Sequence, residues 1–147
     1  CNTSGFDSSF ESEISFCDSC AAMLTSYACA SVPKVTLILE KAIGSAGTIM
    51  GSQSVGSDLV YAWEDAKIGA MESLMAARIL YEGDSSSVIK EKAAQYDAAC
   101  GNADACAAHG YVDAVISPEQ TRKFLISAFD MLSSKQEVIP SKRHHSI

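Results

Sequence analysis

The residues best suited to chemistry by type and spacing are the small ones of Gly44-Ser45-Ala46-Gly47. They follow a short apolar, β-rich run, VTLIL at 35–39, and precede Thr48-Ile49-Met50, which reads as the start of a helix. Small residues at a strand-to-helix turn let a ligand come close to the backbone. The first turn of a helix carries N–H groups with no acceptor inside the helix, aimed back at such a ligand. The chemistry this favours is stabilisation of a developing negative oxygen, an oxyanion hole in the general sense. The alternative is a plain strand–turn–helix in which small residues serve packing, and the turn alone leaves both open.

No other group competes strongly. His109 falls at a predicted helix end, where a dipole-stabilising role suits it better than catalysis. Asp113 and Glu119 flank a turn and a helix start, positions that favour carboxylates electrostatically, and Glu64-Asp65 reads as a solvated corner. Tyr61 and Trp63 alternate on a predicted strand, share one face and read as core. Cys17 and Cys20 form C-x2-C, but no second half-site completes a zinc set, so no metal is expected. The six cysteines show no regular framework and read as reduced thiols of a cytoplasmic protein. Neither G-x-G-x-x-G, G-x-S-x-G nor G-x-x-x-x-G-K-[ST] occurs. An anion-stabilising turn without an evident acid, base or nucleophile suits chemistry in which a cofactor supplies the base.

The elements that must position this turn follow from the pattern. With 147 residues, 48% hydrophobic and 20% charged, the chain reads as one globular domain or part of one. A net charge of −7 disfavours a nucleic-acid surface. No apolar run approaches a membrane span, and no leader pattern is read. S-x-x-E at Ser8 and Glu11 predicts a helix from near Ser9 to before Pro33, with Ile14, Cys17, Ala21, Leu24 and Ala28 as its apolar face. Strand pieces at 59–63 and 67–71 follow. Helices are predicted at 72–81, with Met75, Ile79 and Leu80 inward, at 88–100 and at 103–109. A β-type run at 111–116 leads to Ser117-Pro118-Glu119-Gln120, a strong helix start. Thr121, Phe124, Leu125, Ala128, Phe129 and Leu132 mark the buried face of that last helix. Residues 1–134 are expected to form the domain and 135–147 an extended basic tail. Strands alternating with helices indicate an α/β layout.

Four stretches, VPKVTLILEKAIGSAG, YAWEDAKIGAME, HGYVDAVISPEQTRKFLISAFDMLSSK and the terminal IPSKRHHSI, together resemble one family. This is the carboxyltransferase component of biotin-dependent acyl-CoA carboxylases and decarboxylases. The resemblance begins at Gly5-Phe6, and its most specific pieces are H-G-Y-V-D…P-x-x-T-R-K and the Y-A-W at 61–63. It implies a crotonase-like (ClpP/crotonase) fold of stacked β-β-α turns, of which this chain would be the C-terminal portion. It further implies a partner chain carrying the N-terminal carboxyltransferase half, a biotin carrier protein, an acyl-CoA substrate and a homo- or hetero-oligomer.

In the family, carboxybiotin releases carbon dioxide and the remaining biotin enolate acts as base toward the acyl-CoA; decarboxylases run a related transfer in reverse. The family's Lys-Ala-Tyr-Gly-Gly-Ala is matched by Lys41-Ala42-Ile43-Gly44-Ser45-Ala46. The resemblance therefore implies Ser45 and Ala46 as backbone oxyanion donors and Gly44, Ser45, Ala46 and Gly47 as the biotin-binding turn. The chain departs from the pattern at Ser45 and Gly47, at Glu40, across 17–23 and across 71–76. Such departures fit altered substrate choice, a non-catalytic structural subunit of the complex, or another crotonase-like acyl-CoA enzyme.

Overall fold

Alternation along LVYAW decides how the layers are built. The computed structural model describes residues 1–7 and 9–136. Ser8 of the predicted capping box and the tail from residue 137, with Pro140 and Lys142-Arg143-His144-His145, lie outside the described residues. Strand β3 (Leu59–Trp63) runs between β1 (Val35–Ile38) and β5 (Ala114–Ile116) in a three-stranded parallel sheet. Val35 stands opposite Leu59 and Tyr61 opposite Ala114. Val60 and Ala62 point to one face, where they meet Ile38, Ala66, Cys106 and Val112 in an apolar cluster. Tyr61 points to the other, with Ile116 and Ala128 fully buried beside it. A period of two in a doubly covered strand produces these two cores.

A second parallel sheet pairs β2 (Lys41–Ile43) with β4 (Lys67–Gly69). The chain thus leaves β1 of the first sheet, enters β2 of the second two residues later, and continues into helix α2 (Gly44–Ile49). After β3 the turn at Glu64-Asp65 leads to β4 in the same manner, followed by α3 (Ser73–Leu80), α4 (Ser86–Cys100) and α5 (Ala103–Ala108). The order β-β-α therefore occurs twice, and β5 with α6 (Thr121–Met131) begins it again. Thr3 adds a rung to the second sheet: its N–H donates to the Lys41 carbonyl at 2.7 Å, and the Ile43 N–H donates to the Thr3 carbonyl at 3.1 Å.

The expected elements appear, with differences in which faces are covered. Helix α1 (Phe10–Cys29) is capped by Ser9, whose Oγ accepts the Ser12 N–H at 3.3 Å. Its half-buried line is Phe16, Cys20, Leu24 and Tyr27. Ile14 and Cys17, expected to face inward, are exposed, Ile14 by 69%. Ala28 is exposed too, whereas Ala21 and Leu24 are half-buried as expected, so the real face overlaps the expected one in the middle of the helix and departs from it at both ends.

In α3 the expected inward residues Met75, Ile79 and Leu80 are all exposed, and Ala76 and Ala77 are the buried ones. The helix packs chiefly on α4, so the contact that decides its inner face is made by methyl groups. The SPEQ start forms a 3-10 turn (Pro118–Gln120) that runs into α6, and Ser117 makes no side-chain cap bond. Phe124, Leu125 and Ala128 cover the sheet as expected. Phe129, expected among them, is exposed. Trp63 fastens the helix by donating its indole N–H to Thr121 Oγ1 at 2.9 Å.

Candidate functional site

The turn singled out in the sequence lies in the wall of a cavity of about 480 Å³. Ile38, Ala42, Val60 and Val112 give it an apolar floor, and Gly44, Ser45 and Gly47 form part of its rim. The helix begins at Gly44 itself rather than at Thr48, and the strand feeding it is β2, which the sequence pattern did not separate from β1. Lys41-Ala42-Ile43 is too short to show a period of its own, so nothing distinguished it from a loop.

Each residue of the turn has its own reason to be small. Gly44 adopts φ +66°, a left-handed conformation that turns the chain from β2 into the helix, and glycine enters it without strain. A Cβ on Gly47 would sit 2.6 Å from the carbonyl carbon of Ala42, so close passage of helix over strand requires glycine there. Ala46 is 3% exposed, its methyl packed into the core. Only Ser45 presents its side chain outward. Gly44, Ser45 and Ala46 lead the helix, so their N–H groups have no acceptor within it. The structure thus brings Gly44, Ser45 and Gly47 to the cavity and turns the side chain of Ala46 away from it.

The remainder of the wall was not picked out from the sequence. Thr48 and Ser52 continue the row begun by Ser45, because the Ser52 N–H donates to the Thr48 carbonyl at 3.1 Å and prolongs the helical spacing by a turn. Ser52 Oγ has less than 1 Å² exposed and no hydrogen-bonding partner among the described residues. Leaving a buried hydroxyl unpaired costs about 1–3 kcal/mol. Tyr96, Tyr111, Cys100 and Cys106 close the far side. Hydroxyls three and four residues apart after a glycine turn were the signal available for Ser45, Thr48 and Ser52. The tyrosines come from distant elements and gave none. Among the described residues no Asp, Glu, Lys, Arg or His side chain lines the cavity. Burial pushes the Cys106 thiol above its usual range, with Cys100 nearby adding to the effect, so Cys106 is a protonated, unreactive group.

The other candidates have structural duties or face solvent. Asp113 accepts the Val60 N–H at 2.7 Å while its own N–H donates to the Val60 carbonyl at 2.8 Å, clipping the loop before β5 to β3. His109 forms the C-cap of α5 and is exposed, as are Glu64, Asp65 and Glu119. Tyr61 meets the ring of Phe124 edge-on at 5.6 Å, in the core as expected. Among the described residues no group of three or more His, Cys, Asp or Glu side chains could hold a metal ion. No described helix is long and apolar enough to cross a membrane.

With this geometry established, known proteins give a consistent comparison. The sequence pattern of the family described as Carboxyl transferase domain matches residues 2–147. A chain of Bacillus subtilis (strain 168), provisionally named propionyl-CoA carboxylase beta chain, is 44% identical over 133 residues, covering 86% of this chain and 26% of that protein. Methylmalonyl-CoA decarboxylase subunit alpha of Propionigenium modestum is 38% identical over 133 residues, with the same coverage of each. The chain thus spans about a quarter of the length of these curated relatives. Among solved structures, a transcarboxylase 12S hexamer with hydrolysed methylmalonyl-coenzyme A bound superposes with a TM-score of 0.91 at 33% identity. It covers 99% of this chain and 29% of that one.

Proposed function

Because this chain belongs to the Carboxyl transferase domain family, we propose that it is the C-terminal part of an acyl-CoA carboxyltransferase moving a carboxyl group between biotin and an acyl-CoA. The two β-β-α turns then form part of a crotonase-like spiral. The observation that carries the proposal is the start of α2, which sets Gly44 and Ser45 on the rim of the cavity. The N–H groups of Ser45 and Ala46 hold the oxygen on which charge develops, and Gly44 supplies the turn that aims them. The apolar floor excludes water from that oxygen, which strengthens the hydrogen bonds to it. Biotin, carried on a partner protein, supplies the carboxyl group and a basic centre, which no side chain among the described lining residues offers. With no charged side chain among its described lining residues, the wall suits a neutral ureido ring, since an unpaired charge would bear the cost of desolvation there. The partners in this reading are a chain with the N-terminal carboxyltransferase half and a biotin carrier, together in the cytoplasm.

A second reading, a structural subunit without turnover, is favoured by one observation. Gly47 and Ala46 have sufficient reason to be small in packing alone. One substitution separates the two. Ser45→Pro removes the N–H yet suits the first turn of a helix, where that N–H has no intrahelical acceptor. In the assembled enzyme, carboxyl transfer between biotin and acyl-CoA is expected to fall at least tenfold, about 1.4 kcal/mol of barrier. Ser45→Gly, which keeps the donor, should retain activity. Equal turnover by the proline variant and the unmodified protein would leave the structural reading standing.

A further inference from the structure

We propose that Cys100 and Cys106 are an oxidation site at the far wall of the cavity, a thiol pair that a small disulfide converts into an intramolecular disulfide. The inference does not depend on carboxyl transfer; it follows from how two helices meet. Cys100 is the last residue of α4, and Cys106 stands on α5. Asn102 holds the junction between them. Its Oδ1 accepts the Ala105 N–H at 2.8 Å, and its Nδ2 donates to the Asp97 and Ala98 carbonyls, each at 3.0 Å. The clamped junction brings Cys106 Sγ to 3.9 Å from the carbonyl oxygen of Cys100. Both residues line the same cavity.

The two thiols differ in access, and the difference sets the order in which they react. Cys100 is exposed, whereas Cys106 is 6% exposed and packs with Ile38, Ala42 and Val60. Burial holds the Cys106 thiol above its usual range, with Cys100 nearby adding to the effect. On its own Cys106 is a poor nucleophile, closed to a reagent in solution. Cys100 therefore meets the oxidant first. It releases its proton to water and attacks one sulfur of glutathione disulfide. A bond forms between Cys100 and that glutathione, and the other glutathione leaves as a thiolate that takes up a proton. Cys106 then releases its proton and attacks Cys100 Sγ. The Cys100–Cys106 bond forms, and the second glutathione leaves and is protonated in turn. Two protein thiols are oxidised, and one glutathione disulfide is reduced to two thiols. The second step needs no reagent to enter the core, because the sulfur under attack is attached to the neighbouring residue. Rotation about the Cα–Cβ bond of Cys100, a change that an exposed side chain can make, turns its sulfur toward Cys106.

The test is incubation of the folded protein with glutathione disulfide, followed by alkylation of the remaining thiols in denaturant and mass spectrometry of tryptic peptides. Residues 93–122 form one such peptide, which carries Cys100 and Cys106 and no other cysteine. We expect this peptide to lose two hydrogens and escape alkylation, and to regain both thiols with dithiothreitol. Cys106→Ala, which leaves an apolar side chain in the core, should instead accumulate glutathione on Cys100. Cys100→Ser should leave Cys106 a thiol that is alkylated only after denaturation. Glutathione persisting on Cys100 of the unmodified protein, with Cys106 still a thiol, overturns the pairing. Glutathione on Cys106 in the Cys100→Ser variant overturns the order of attack. A peptide of the unmodified protein with both thiols intact overturns the site altogether.

Discussion

At the scale of single residues, the glycine turn shows how packing and chemistry divide a short motif between them. Gly44 is required by its positive φ and Gly47 by the backbone of Ala42, so neither identity depends on a ligand. The prediction at Gly47 follows from weighing two effects of Gly47→Ala. Alanine favours a helix over glycine by about 1 kcal/mol. Against that, the new methyl would lie 2.6 Å from a carbonyl carbon and 2.9 Å from its oxygen, both main-chain atoms of β2 that cannot swing aside. Overpacking of this kind costs about 1–3 kcal/mol. The clash should win, and urea denaturation should show Gly47→Ala less stable than the unmodified protein. A gain in stability would mean that α2 stands further from β2 than described. Ala46, facing the core, is a poor place to probe access for the same reason; Ser45, which is exposed, is the useful position.

At the scale of elements, one carboxylate joins three of them. Asp97 near the end of α4 pairs with Lys67 of β4, and its other oxygen accepts the Ser73 hydroxyl at the start of α3 at 2.9 Å. The hydrogen bond from Lys67 holds the Asp97 carboxyl below its ordinary range. Burial works against it, and the Ser73 bond and the lysine charge add to the lowering. Asp58 is lowered as well: burial alone would raise it, but the hydrogen bond and charge of Lys135 and the Lys34 N–H outweigh burial. A carboxylate whose folded pKa is depressed stabilises the fold above its unfolded pKa of about 4 and loses that contribution as pH falls through the folded value. Stability should therefore be flat above about pH 5 and decline on the acid side of pH 4. Thermal melts of Asp97→Asn should show a shallower acid decline than the unmodified protein. An unchanged acid limb would place the sensitivity at other carboxylates.

The same elements show what the sequence disclosed. Strand β3 was legible to the residue, since turn signals bound LVYAW and its alternation is complete. SPEQ marked the right place for the last helix to start, although its residues form a 3-10 turn and α6 itself begins at Thr121. The inward face of α3 was misread because its alanine face is flanked by a large-residue face at least as apolar as the buried one. Residue type cannot choose between alanine and leucine faces when the neighbouring helix decides the spacing. Strand β2 was missed for its brevity, and the far wall of the cavity because Tyr96, Tyr111 and Cys106 come from three separate stretches.

At the scale of the whole molecule, those misread faces become a prediction about assembly. Helix α3 exposes Met75, Ile79 and Leu80, the last two by more than 60%. The start of α1 exposes Phe10 and Ile14, and α6 turns out Ile126, Phe129 and Met131. Scattered apolar residues are ordinary on a surface, but three successive groups on separate helices form more than soluble monomers usually leave bare. Burying the two α3 side chains Ile79 and Leu80 would contribute about 1.5–3 kcal/mol each, which is less than the cost of association, so a stable assembly would have to bury the other exposed apolar groups as well. The related transcarboxylase 12S forms a hexamer. We therefore expect this protein to associate, with itself or with a partner chain, through a surface that includes α3. Light scattering at tens of micromolar should give a mass above 15.5 kDa. The double substitution Ile79→Lys and Leu80→Lys should lower that mass without lowering the melting temperature of dilute protein, because neither side chain supports the core. A monodisperse monomer before substitution would remove α3 from any self-association, and an unchanged assembly after it would move the contact to α1 or α6.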